Sequence, residues 1–318
     1  MTKVAVTGGA GFIGSNLTKR LLSEGYEVVV IDDLSTGLHS NVDQDNSIFH
    51  QISITDSKSL TTALKDCETI FHLAARGSVP RSLKNPVATH EVNATGTLNV
   101  LEAARATGAH VVFSSSSSVY GRNMQLPKDE SMWLSPMTPY AASKLASEGY
   151  VQAYASGYNV PTTLLRFFNV FGPRQRPDHE YAAVLPKWIW LAMQGMPIDV
   201  YGDGTASRDF TYVETVLDIA ITAMKEKVLT EGAMNLAYGN RIFLNGTIEM
   251  LKKHFPDLQV NYKENRLGDV KESQNSPTLL KSLFPAITPK PFEQALAETV
   301  VWLKDFGQSV ANGPKTVD

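Results

Sequence analysis

The stretch VTGGAGFIGS, residues 6–15, closes one kind of pattern and opens another. Before it, KVAVT (3–7) is a short β-branched run. After it, Phe12, Ile13, Leu17, Leu21 and Leu22 recur at helical spacing as far as Gly25. A glycine turn set between a strand and a helix leaves the chain few options. The helix must pack back on the strand, and the next strand must return parallel to the first. The alternation continues: YEVVVID (26–32), TIFHLAA (69–75), HVVFSS (110–115) and VPTTLLRF (160–167) read as strands. Helix-length segments at 57–65, 92–107 and 140–158 lie between them. Continuously apolar strands suit a parallel sheet covered on both faces. The pattern predicts an α/β fold built on a doubly wound parallel sheet.

Three glycines, Gly8, Gly11 and Gly14, occupy the first strand-to-helix turn. They allow a tight turn, close approach of backbone to a pyrophosphate, and close helix-to-strand packing. The second strand ends at Asp32, 18 residues past Gly14 (32 − 14). That is near the ~20 expected of the carboxylate that binds an adenosine ribose in a Rossmann unit. A carboxylate there repels a 2′-phosphate, so the cofactor expected is NAD. The competing reading of Asp32 is an exposed acidic strand end. Asp33 is either a second ribose contact or a solvated neighbour.

Beyond about residue 170 the texture changes. Loops lengthen, as in GPRQRPDHEYAA (172–183) and YGDGTASRDF (201–210), and helices at 183–194, 247–254 and 292–306 are separated by polar stretches. The expected organisation is a dinucleotide-binding domain over 1–170 and a smaller α/β substrate-binding subdomain over 171–318. Segments within about 206–240 return to the first domain: FTYV (210–213) and AMNLAYG (233–239) are expected to rejoin the main sheet. The tail after Phe306 lacks apolar periodicity and is expected to be loosely held.

Composition narrows the function classes. A net charge of −3 with scattered basic residues gives no general attraction to nucleic acid or membrane. There is no apolar run long enough to span a bilayer, and the N-terminus reaches glycine too early for a signal-peptide core. Cys67 is the only cysteine, so neither an internal disulfide nor a cysteine zinc site is expected. A cytoplasmic setting and no metal site follow as expectations.

Two motifs carry candidate chemistry. PYAASK places Tyr140 and Lys144 four residues apart, on one helix face. A phenol with a reference pKa of ~10 must fall about 3 units to act as a base near neutrality, and an adjacent ammonium and an oxidised nicotinamide can drive that. Alone, the pair reads better as an ordinary solvated helix face. VVFSSSSSVYG (111–121) holds five serines and looks at first like a linker. It is flanked by VVF and VYG rather than by glycine and proline, and it ends a buried strand. Ligands of doubly wound sheets collect at such strand ends, so its hydroxyls are placed for a substrate.

Taken in order, TGGAGFIGS, FHLAA, SSSSSVYG, PYAASKLASE, RFFNVFGPRQ and GDGTASRDFTYV resemble the extended short-chain dehydrogenase/reductases, and among them the UDP-hexose 4-epimerases, over about residues 3–305. The resemblance implies Ser116, Tyr140 and Lys144 as the catalytic set. It implies the turn residues Gly8, Gly11, Phe12, Ile13 and Gly14, together with Asp32, Asp33, Ser53, Ile54, Leu73, Ala74 and Ala75, as NAD contacts. Ser117, Ser118, Asn169, Lys187, Arg208, Arg266, Asp269 and Ser273 are implied as sugar-nucleotide contacts, with a surface ion pair as the competing reading for the arginines. His72 is expected to be a packed structural histidine.

The activity implied is NAD-dependent 4-epimerisation of a UDP-hexose through a 4-keto sugar, with the cofactor regenerated. GSVPRS (77–82), YAAVLPKW (181–188) and the small Ser273 resemble epimerases that accept N-acetylated sugars. RPD (176–178) resembles UDP-glucuronate 4-epimerases, with Arg176 pairing a C6 carboxylate; the other reading of Arg176 is a solvated loop. UDP-glucose/galactose, extended to the N-acetyl pair, is preferred, with UDP-glucuronate as the alternative. A net oxidoreductase and a non-catalytic NAD sensor are the rival classes. Sugar dehydratases and UDP-glucuronate decarboxylases of the family usually carry an acidic residue where Ser117 and Ser118 stand, so the resemblance argues against those activities. Departures are Ser53 where an aspartate is common, Thr215 for another aspartate, and Phe243 for a serine. The family pairs through two helices, so a homodimer through 92–107 and 140–158 is expected.

Overall fold

The computed structural model describes residues 1–178, 182–264 and 272–312. Seven parallel strands form the main sheet: β1 (Lys3–Thr7), β2 (Glu27–Ile31), β3 (Ile48–His50), β4 (Thr69–His72), β5 (His110–Ser116), β6 (Thr162–Phe167) and β7 (Ala233–Leu236). Their spatial order is β7-β6-β5-β4-β1-β2-β3. The direction of winding therefore reverses at β1, beside β4, and a crevice opens at the carboxyl ends there.

Alternation along each strand builds two cores. Val4, Val6, Val28, Val30, Phe71 and Val112 pack towards helices Phe12–Ser23 and Val213–Lys225. Ala5, Val29, Ile31, Ile70, Val111 and Phe113 pack the other way, against Ser57–Ala63 and Gly96–Thr107. Burying each large apolar side chain among these stabilises the fold by about 1.5–3 kcal/mol. A third cluster, with Trp188, Ile198, Ile248, Leu251, Leu296 and Leu303 among its members, is separate from the sheet and underlies the C-terminal part.

Three expectations need correcting. AMNL does rejoin the sheet as its edge strand β7, but FTYV does not: Thr211–Tyr212 pairs with Val170–Phe171 in a separate two-stranded ribbon, and Val213 already begins a helix. That helix, the edge strand β3 and the short ribbons lie outside the sequence reading. Helix 92–107 is not uniform, because a π-helical turn at Glu91–Thr95 precedes Gly96–Thr107. The last helix runs through Phe292–Asn312 rather than ending near Phe306, where Phe306 stacks on Trp302 with ring centroids 5.1 Å apart.

Candidate active site

The first turn is shaped by glycine where no other residue fits. Gly8 has φ +71°, and a Cβ on it would lie 2.8 Å from the backbone nitrogen of Ala74. A Cβ on Gly14 would lie 2.1 Å from the Gly8 carbonyl oxygen. Gly11 caps helix Phe12–Ser23 without any side-chain bond, so its first amides stay available to an anion. Asp32, 9% exposed, closes the turn: its carboxylate accepts from Ala10 N and Leu34 N, each at 2.9 Å. Burial pushes the Asp32 pKa up, and the Leu34 and Ala10 amides oppose it.

These residues line one cavity of about 680 Å³ with Phe12, Ile13, Asp33, Ser53, Ile54 and the floor Leu73–Ala75. Its far end holds Ser116, Tyr140 and Lys144. A glycine cradle that admits no Cβ, uncapped amides and a carboxylate on the neighbouring strand fit the pyrophosphate and ribose of a dinucleotide. Ser53 bonds Thr55 Oγ1 at 2.8 Å.

The floor is fixed from below by His72, which is 1% exposed. Its Nδ1 bonds Thr7 Oγ1 at 2.8 Å and its Nε2 bonds Thr97 Oγ1 at 3.0 Å. Burial, reinforced by the Lys144 charge, pushes its pKa down to about 3. It is a neutral, packed histidine.

The serine run forms the end of β5 and a following turn, Ser117–Tyr120. Ser116 is close enough to Tyr140 to lower the pKa of its phenol, and its hydroxyl accepts from Ser118 N at 3.2 Å. Helix Pro139–Tyr158 starts at Thr138, whose hydroxyl accepts from Ala141 N at 3.2 Å, so Tyr140 sits in its first turn. One turn on, Lys144 is 4% exposed and donates from Nζ to the Ser114 carbonyl at 2.7 Å. Burial brings its pKa down to about 8, opposed by Glu148. Tyr140 differs from the sequence expectation. Its pKa is raised by burial, and the Ser116 hydrogen bond opposes that only in part. The packing of protein around the phenol outweighs what its neighbours supply.

The sugar-nucleotide candidates are less uniformly gathered. Asn169 and Arg176 line the cavity. Asn169 Nδ2 reaches Asp209 O at 3.3 Å and Ser273 Oγ at 3.5 Å, which places Ser273 at the cavity's margin. Arg176 holds Asp178 through two bonds of 2.9 and 2.8 Å. Ser117, Ser118, Lys187 and Arg208 are not among the lining residues. Lys187 is exposed on helix Val184–Met193, and Arg208 donates to Ser207 O at 2.9 Å. Arg266 and Asp269 lie outside the described residues.

Sequence reasoning missed three residues. Arg174 lines the cavity and donates to Asn41 O at 3.3 Å, with its pKa lowered by burial. Asn93, in the π turn, accepts from Arg76 N at 2.7 Å and donates to Ser143 Oγ at 2.9 Å, tying the floor loop to the Tyr140 helix. Asp209 is fully buried and accepts from the backbone amides of Gly239, Asn240 and Asn275, and burial raises its pKa to about 6. Its place in SRDF, beside a candidate arginine, was the available signal.

Among the described residues no group of histidine, cysteine and carboxylate side chains is arranged to hold a metal ion, and no helix is long and apolar enough to cross a membrane. The chain is 41% identical over 229 residues to a UDP-glucose 4-epimerase of Mycolicibacterium smegmatis, covering 70% of this chain and 72% of that one. It is 36% identical, with a TM-score of 0.91, to the UDP-N-acetylglucosamine 4-epimerase of Methanobrevibacter ruminantium M1 solved with UDP-N-acetylmuramic acid, covering 96% and 99% of the two chains. It is 27% identical, with a TM-score of 0.88, to the UDP-glucuronic acid 4-epimerase of Bacillus cereus solved with UDP-glucuronic acid and NAD, covering 96% and 100%. The family model for the NAD dependent epimerase/dehydratase family matches residues 4–237, and the chain belongs to that family.

Proposed function

We propose that this protein is an NAD-dependent UDP-sugar 4-epimerase acting on UDP-glucose and UDP-galactose, with the N-acetylated pair as further substrates. The observation that carries the reading is the meeting of Ser116, Tyr140 and Lys144 at the far end of the cavity that begins at the glycine turn and Asp32. In the reaction, Tyr140 takes the proton from the sugar's 4-hydroxyl while Ser116 holds that oxygen. NAD held by the glycine turn and Asp32 would supply the hydride acceptor and donor and a positive charge. Such a charge is what the half-buried Tyr140 needs, since its own surroundings hold it neutral. Lys144, still protonated near neutrality, steadies the tyrosinate through the shared helix face. The 4-keto sugar turns over within the cavity, and Tyr140 returns its proton when the opposite face of carbon 4 is reduced.

Gly8, Gly11, Gly14 and Asp32 hold the dinucleotide, and Asn169 and Ser273 meet the sugar nucleotide. The part up to about residue 170, with β7, serves the cofactor, and the remainder serves the sugar nucleotide. The small Ser273, next to Asn169, supports acceptance of an acetamido group. Arg176 on the cavity wall favours UDP-glucuronate as a second reading, although Asp178 already engages its guanidinium. A homodimer through helices Gly96–Thr107 and Pro139–Tyr158 and a cytoplasmic setting complete the proposal. Support for the pairing comes from Tyr150 and Tyr158, which are 41% and 54% exposed on the second helix.

A panel of UDP-sugars incubated with the purified protein, with products resolved by NMR, tests this. Inversion at C4 without net cofactor reduction supports the epimerase. Stoichiometric reduced cofactor would make it an oxidoreductase, and an unchanged panel would make it a sensor.

A further inference from the structure

Beneath the reacting groups lies a buried ion pair that the proton-transfer steps do not use. Arg166 of β6 grips Glu148 with two parallel bonds, Nε to Oε1 at 2.9 Å and Nη2 to Oε2 at 2.8 Å. Their side chains are 5% and 2% exposed. A buried pair of this kind is seldom more stabilising than apolar residues of the same volume, so its presence asks for another reason. The partners supply one. Glu148 Oε1 also accepts from Ser115 Oγ at 2.6 Å, and Ser115 immediately precedes Ser116. Glu148 stands four residues after Lys144, on the same face of the helix. Arg166 is held in turn by Tyr120, whose hydroxyl accepts from Nη1 at 3.0 Å and donates to Asn235 Oδ1 at 2.9 Å. The network thus spans β5, β6, β7 and the helix that carries Tyr140.

Building on the epimerase reading, we propose that Glu148 is a positioning residue: fixed by Arg166, it ties the serine strand end to the Tyr140 helix and supplies the counter-charge that keeps Lys144 an ammonium. The groups around Lys144 agree with this. From β4 comes His72, which stays neutral; from β5 the Phe113 ring, 5.1 Å from Nζ, and the Ser114 carbonyl. From its own helix come Tyr140 and Glu148, and behind Glu148 lies the cation of Arg166. Burial works against the charge on Lys144, and Glu148 opposes that loss.

The test is Glu148→Gln in the NAD-loaded protein, with kcat followed against pH on a UDP-sugar that the wild type turns over. The expected result is a kcat at least ~10-fold lower and a basic limb displaced to lower pH by on the order of one unit, as Lys144 gives up its proton sooner. Because that variant leaves Arg166 unpaired, Glu148→Gln/Arg166→Gln is made beside it and is expected to shift the limb the same way. The Lys144 Cε resonance, assigned through Lys144→Arg, follows the same titration without turnover. An unmoved titration in a folded variant, however low its kcat, leaves Glu148 a purely structural role and overturns the proposal. A wild type inactive on every UDP-sugar would sink the epimerase reading instead, and the NMR titration would still decide the role of Glu148.

Discussion

Lys144 Nζ sits 2.7 Å from the carbonyl oxygen of Ser114, which locks the helix carrying Tyr140 to the strand that ends in Ser116. Together with the Ser115–Glu148 bond, it holds the Tyr140 phenol on the helix against the Ser116 hydroxyl at the strand end. It also explains how a lysine that is 4% exposed keeps its proton near neutrality. Its pKa is brought down only to about 8, and the ammonium has a carbonyl acceptor and a nearby carboxylate.

Replacing the phenol isolates its role. Tyr140→Phe keeps the ring and removes the hydroxyl that Ser116 engages. Turnover is expected to drop at least ~100-fold, the low end for loss of a general base, while calorimetry finds UDP binding retained. Near-normal turnover would take Tyr140 out of the mechanism.

The glycine turn makes a stricter demand. Gly14→Ala puts a methyl group 2.1 Å from the Gly8 carbonyl oxygen, a contact only backbone movement can relieve. The expected outcome is protein purified without NAD and melting at a lower temperature than wild type. A variant with full NAD content and an unchanged Tm would show that the turn tolerates a side chain and weaken the cradle argument.

Substrate width is predicted to turn on Ser273, whose hydroxyl lies 3.5 Å from Asn169 Nδ2. Ser273→Tyr is expected to suppress turnover of UDP-N-acetylglucosamine by at least ~10-fold, the scale on which pocket contacts discriminate, and to spare UDP-glucose. Equal loss on both sugars would count against a gating position.

Buried His72 ties stability to pH. It stays neutral in the fold down to about pH 3, whereas in the unfolded chain it takes up a proton below its ordinary 6.5. The unfolded state therefore binds the extra proton, and the stabilising contribution, complete above 6.5, is lost as pH falls towards 3, at about 1.4 kcal/mol per unit. Asp209 works the other way below about 6, because burial raises its pKa. Comparison with His72→Gln cancels that background. Urea titrations at pH 7 and pH 5 should find the stability gap between wild type and variant smaller at pH 5 by about 2 kcal/mol. A constant gap would mean that His72 takes up its proton as readily in the fold as in the unfolded chain.

The sheet was legible because its strands are apolar on both faces and separated by helix-length segments, and β1, β2, β4, β5 and β6 with their crossovers follow from that. Edge strand β3, IFH, is only three residues long and partly exposed, too short to show a period. FTYV misled because Thr211 and Tyr212 are buried β-formers, yet they pair in a local ribbon whose register depends on Val170 and Phe171. In the site, residues tied to one turn or one helix face were readable: Gly8 to Gly14, Asp32, Tyr140 and Lys144. The direction of the Tyr140 shift was not, since it depends on how tightly remote segments close around the phenol. Asn93, Asp209 and the Glu148–Arg166 pair act through partners distant in the chain, which no local pattern discloses. Glu148 nevertheless stood in PYAASKLASE, one turn past Lys144.

In the proposed reaction, hydrogen leaves carbon 4 of the sugar as hydride and returns to the same carbon. UDP-galactose carrying deuterium at C4 tests it most directly, with the product examined by NMR and mass spectrometry. The expected product is UDP-glucose that retains the deuterium at C4 and takes up none from solvent. Loss of the label to water, or UDP-galactose recovered unchanged, would contradict it.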